Sequence, residues 1–70
     1  MKHMHAKEIQ TGTVTRFWEI IEDGGGHLLG RVKWYGGGYV FLPVDGTLFE
    51  ASCLHDLSHF CRLRTEEHRE

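Results

Sequence analysis

Two glycine triplets, Gly24-Gly25-Gly26 and Gly36-Gly37-Gly38, punctuate this chain. Three glycines in a row have no helix propensity and reach positive φ without steric cost. Each triplet is therefore a turn, and no helix crosses either one. The segments they separate must be short and extended. Val14 to Glu22, VTRFWEIIE, is dominated by β-branched and aromatic residues, which is strand composition. Leu28 to Tyr35, LLGRVKWY, puts Leu28, Val32 and Trp34 on one face and Arg31, Lys33 and Tyr35 on the other. Gly30 falls on the apolar face, where Trp18 or Trp34 is the expected cover. Tyr39 to Leu42 is a third strand, stopped by Pro43, which cannot donate to a ladder. Asp45-Gly46 is a tight-turn dipeptide, and Thr47-Leu48-Phe49 is the expected short fourth strand.

Beyond the turns the period changes. Ser52 is a suitable N-cap. After it Cys53, Leu54, Leu57, Phe60 and Cys61 share one helical face, with Arg64 at its border and His55, His59 and Arg62 opposite. This predicts an amphipathic helix from Ser52 to about Thr65. A sheet with one apolar face must bury it, and one such helix can cover it. The expected fold is α+β: a small antiparallel β-meander of three or four strands with one C-terminal helix packed on one face. The expected core is Val14, Trp18, Ile20, Leu28, Val32, Trp34, Phe41, Leu54, Leu57 and Phe60.

Seventy residues leave room for one core. That domain is expected over residues 11–65, with a frayed polar tail over 66–70. Residues 1–10 begin Met-Lys-His-Met-His and are expected to be disordered, or a cloning remnant, outside the core. Chains this small often need a staple or a partner subunit. Cys53 and Cys61 cannot bridge if both lie on one helix, because eight residues rise ~12 Å and a disulfide needs Cα atoms roughly 4.4–6.8 Å apart. Two reduced cysteines fit a cytoplasmic protein, and a homo-oligomer is the expected source of extra stability.

The net charge of −2 argues against a polyanion binder acting through bulk charge. No apolar run approaches the ~18 residues of a membrane span. No nucleophile with its base stands out and no cofactor motif is present, so no enzyme and no cofactor is expected. Neither glycine triplet has the P-loop or dinucleotide pattern. His55 and His59, at i and i+4, are the candidate metal ligands, with His68 or Asp56 as a third. Glutamate is missing from the HExxH position, and the alternative is two solvated imidazoles. Cys53 at a helix start is either an activated thiol or a small core residue. Arg16, Arg31, Lys33, Tyr35 and Tyr39 are expected together on the sheet face away from the helix. Basic and aromatic groups interleaved on an open sheet bind single strands; the alternatives are a protein partner or an ordinary solvated face. The leading expectation is a non-catalytic protein-interaction module that pairs with itself or with another protein. Weak single-stranded nucleic-acid binding comes second, and metal binding third.

The run Val32-Lys33-Trp34-Tyr35, Tyr39-Val40-Phe41-Leu42-Pro43, Gly46-Thr47-Leu48-Phe49 and Cys53-Leu54-x-Asp56-Leu57-x-x-Phe60 resembles a group of small bacterial and phage-encoded proteins of unknown function. The likeness covers about residues 28–64 and implies a sheet followed by a Cys-Leu helix. It brings no activity and no site. Those proteins often carry a Trp-Arg pair where this chain has Gly37-Gly38. Thr13 to Trp18, with Gly30 to Tyr35 and Gly38 to Phe41, also loosely resembles the first strands of cold-shock domains. The phenylalanine-histidine strand of that family is missing, and a C-terminal helix does not belong to it.

Overall fold

A computed structural model of the chain describes residues 1, 3–10 and 16–69. The expected core residue Val14 lies outside them. Four strands, β1 (Met4–Gln10), β2 (Arg16–Glu22), β3 (Leu28–Tyr35) and β4 (Gly38–Pro43), precede one helix, α1 (Ala51–Arg69). The strands form one antiparallel sheet in the order β1-β2-β3-β4, a meander. The expected fold class is the observed one.

The fourth strand is not the expected one. Residues 47–49 are not a strand; the chain turns at Asp45-Gly46, where the Thr47 amide and hydroxyl both donate to the Val44 carbonyl. Phe49 then packs its ring on Phe41, with centroids 5.3 Å apart. The place at the sheet is taken by β1, from the segment expected to be disordered. His5 to Ile9 alternates polar and apolar residues weakly, but Met4 is 3% exposed and belongs to the core. Its pairing with β2, from Met4↔Glu22 to Gln10↔Arg16, satisfies backbone groups that β2 would otherwise leave open.

The β3–β4 hairpin is tight. Tyr35 pairs with Gly38, and Gly36 and Gly37 between them have φ of 63° and 98°. Two positive φ values make the turn type I′, whose twist matches that of the strands. Register then assigns the faces. Trp18↔Val32, Val32↔Phe41 and Trp34↔Tyr39 put Trp18, Val32, Trp34, Tyr39 and Phe41 on one face with Ile20. A bulge at Ile20/Ile21 sets Leu28 opposite Ile21, on the other face. Leu29 packs against the core in place of Leu28. Gly30 is covered by Phe41 rather than by a tryptophan: a Cβ there would lie 2.5 Å from the Phe41 ring and 2.6 Å from the Leu42 carbonyl oxygen.

Helix α1 covers the first face. Leu57 is 3% exposed, and Cys53, Phe60 and Cys61 pack against the cluster of Met4, Trp18, Ile20, Val32 and Tyr39. The helix begins one residue before the expected N-cap. The Leu54 amide donates to the Glu50 carbonyl, and the Ser52 hydroxyl donates to the Glu50 carboxylate instead of capping the backbone. Leu54, in this first turn, is 52% exposed and outside the core. At the other end α1 runs past Thr65 to Arg69, so the expected frayed tail is helical. Two contacts hold it there. The His68 ring lies on Trp34 at 4.1 Å between centroids. The Glu67 carboxylate sits 2.7 Å from Arg64 Nε and 3.8 Å from Arg16 Nη2.

Candidate functional site

With α1 on one face, no element among the described residues covers the other. Alternation and register place on it His5, Lys7 and Ile9 from β1, Phe17, Glu19 and Ile21 from β2, Leu28, Arg31, Lys33 and Tyr35 from β3, and Val40 and Leu42 from β4. Ile9, Phe17, Ile21 and Val40 are half-buried by their neighbours alone, and Leu42 is 49% exposed. A solvated sheet face commonly carries polar residues, so an apolar set here marks a candidate contact surface.

The face also has a sign. Lys7, Arg31 and Lys33 are its cations; Glu19 is its acid within the strands, and the Asp23 carboxylate lies against His5 at its rim. Arg31 Nε lies 3.7 Å from Glu19 Oε2, with both side chains partly open. Lys33 Nζ stands 5.4 Å from the centroid of the Phe17 ring. A chain of net charge −2 thus concentrates an excess of positive charge on its open face.

Three of the five expected binding residues, Arg31, Lys33 and Tyr35, are on this face, and Tyr35 is 76% exposed. Arg16 and Tyr39 are not. Tyr39 is opposite Trp34 and therefore shares its face; it is 6% exposed, with Trp18 and Trp34 each 5.2 Å away between centroids. Its amide donates to Thr65 Oγ1 on α1, 2.8 Å away. Arg16 has the parity of Trp18. Its guanidinium carbon lies 5.1 Å from the Trp18 ring, and Nη1 is 3.5 Å from Glu8 Oε1.

One feature of the site was not anticipated from sequence. Pairing between β2 and β3 ends at Trp18↔Val32. Beyond it Arg16, Phe17, Lys33 and Trp34 line a shallow cleft of about 250 Å³. The two cation-aromatic dipeptides, Arg16-Phe17 and Lys33-Trp34, are the signal that was available for it.

His55 and His59 are both exposed on α1. Among the described residues no group of three His, Cys, Asp or Glu side chains is close enough to hold a metal ion. His68, an expected third ligand, is engaged with Trp34. Cys53 and Cys61 are free thiols at half-buried positions, and burial pushes the Cys61 thiol up from its ordinary value. No helix among the described residues is long and apolar enough to cross a membrane.

Comparison with protein-family models, with curated proteins and with solved structures finds no match to this chain.

Proposed function

We propose that this protein is a non-catalytic interaction module, homo-oligomeric and cytoplasmic, whose working surface is the open face of its sheet. The observation that carries the reading is the contrast between the two faces. One is closed by α1; on the other, no described element lies over Ile9, Phe17, Ile21, Val40 and Leu42, which sit amid Lys7, Arg31 and Lys33. Charge complementarity points to a protein partner that presents apolar side chains flanked by carboxylates. A helix laid across this face would mirror α1 and complete a three-layer arrangement. The free thiols of Cys53 and Cys61 support a reducing compartment. The sequence pattern supports kinship with the small bacterial and phage-encoded proteins it resembles.

The second reading is a single nucleic-acid strand on the same face. It is favoured by exposed Tyr35, by the Phe17–Lys33 pair and by the cleft beside them. The aliphatic share of the face, from Ile9 to Leu42, favours protein.

Amide NMR at low salt separates the two. The probes are a synthetic amphipathic peptide of leucine and glutamate and, separately, a mixed single-stranded oligonucleotide. The peptide is expected to shift Ile9, Phe17, Arg31, Lys33 and Val40, and to lose this effect in the Arg31→Glu, Lys33→Glu double variant. Shifts there with the oligonucleotide alone, fading with salt, would put a nucleic-acid strand in place of a protein. If neither probe moves these amides, the open face is not the working surface.

A further inference from the structure

The two edges of the sheet are treated differently. The β4 edge is closed: the Tyr39 amide donates to Thr65 Oγ1 of α1, Gly38 lies against the same threonine, and Pro43 has no donor to offer. Among the described residues, the β1 edge has none of these devices. Seven residues, Met4 to Gln10, pair on one side with β2 through a continuous register, with no proline, glycine or bulge among them. An edge of this length and regularity is a template for another strand.

We infer that β1 is an assembly seam, at which a second copy of this chain adds its own β1 antiparallel to the first. The inference rests on the homo-oligomeric part of the reading above and gives it a location; it does not depend on what the open face binds. Self-pairing about a two-fold axis brings each residue opposite one of its own strand, and opposite residues must share a face. That restricts the axis to a residue of β1. An axis at Lys7 or at Glu8 sets like charges directly opposite each other, which is destabilising. An axis at His5 leaves little strand to pair, because β1 begins at Met4. The remaining central register has Ala6 on the axis. It sets Met4 against Glu8 and Lys7 against His5, whose Nδ1 lies 2.6 Å from the Asp23 carboxylate. That carboxylate belongs to the same row as the incoming lysine. Lys7 discourages the Lys7-centred register and is accommodated in this one, so the charges on β1 choose a register rather than forbid pairing.

The product is one continuous eight-stranded sheet. Antiparallel pairing about an axis normal to the sheet keeps both helices on one side and both open faces on the other. Two working surfaces then lie side by side, and a partner with two binding segments gains effective concentration.

Sedimentation of the unaltered protein across micromolar to millimolar concentration tests the association. A reversible monomer–dimer equilibrium is expected; a monomer throughout overturns the homo-oligomer and the seam together. Disulfide trapping tests the seam itself. In a Cys53→Ser, Cys61→Ser background, Ala6→Cys is expected to cross-link under mild oxidation several-fold faster than Glu8→Cys, since facing Cβ atoms in such a pair lie ~4.5–5.5 Å apart. A dimer that cross-links faster through Glu8→Cys, or equally slowly at both positions, overturns the seam and leaves the oligomer standing. If the serine background fails to fold, amide exchange at β1 in the unaltered protein decides. Protection of residues 5–8 that rises with concentration supports the seam, and protection independent of concentration overturns it.

Discussion

Tyr39 shows how one register position decides what a residue is for. Exposed beside Lys33 it would be a stacking platform. Opposite Trp34 it is instead a core residue clamped between two indoles, with its amide held by Thr65. Thr65→Val keeps the shape of the side chain and removes that acceptor. The expected loss is ~1 kcal/mol, read as a lower urea midpoint; an unchanged midpoint would mean that water replaces the threonine. Gly30 is the more tightly covered of the two strand glycines. Because the Leu42 carbonyl is backbone and cannot swing aside, Gly30→Ala should cost roughly 1–3 kcal/mol by overpacking, measured in the same way. Cys61 gives a pH signature. Burial raises its thiol in the folded state above the ordinary value of 9.0, so the unfolded chain ionises first. The contribution is fully present below pH 9 and is lost as pH rises through the folded value. Stability should therefore fall more steeply at alkaline pH in the unaltered protein than in Cys61→Ala. Parallel slopes would show that the thiol plays no part.

At the scale of elements, β1 and the last turn of α1 matter most. Both consist of residues that read as polar and terminal. Removing residues 1–10 takes away an edge strand and the buried Met4, so the cooperative thermal transition should be lost or lowered strongly, as followed by circular dichroism. A truncated chain that melts like the full one would return β1 to the status of an appendage. The end of α1 is held by ring contact and by the Arg64–Glu67–Arg16 group. The Glu67–Arg16 part is open to water, so its worth is small, whereas the His68 ring on Trp34 brings apolar contact as well. His68→Ala is thus expected to loosen the last turn more than Glu67→Gln does, visible as faster amide exchange at residues 65–68.

For the molecule as a whole, the division is between a closed face and an open one. Leu42 lies on the open face, 49% exposed and outside the core cluster. Leu42→Ser should leave stability within about 0.5 kcal/mol while reducing the binding of a hydrophobic dye. A large loss of stability would mean that Leu42 is structural and the face smaller than described.

The turns, the strand character of β2 to β4 and the helical period of α1 were legible in the amino-acid order. Each is local: consecutive glycines, β-branched runs, apolar residues spaced by helical turns. Arg31, Lys33 and Tyr35 followed from strict alternation away from Val32 and Trp34. What the order could not settle is who pairs with whom. The strand identity of Met4 to Gln10 depends on β2 offering it a ladder. The positions of Tyr39 and Leu28 depend on a two-residue turn and on a bulge, each of which moves a side chain through the sheet. Those are choices of pairing and register, made by backbone hydrogen bonds between strands, and a one-residue step in any of them exchanges the buried face for the open one.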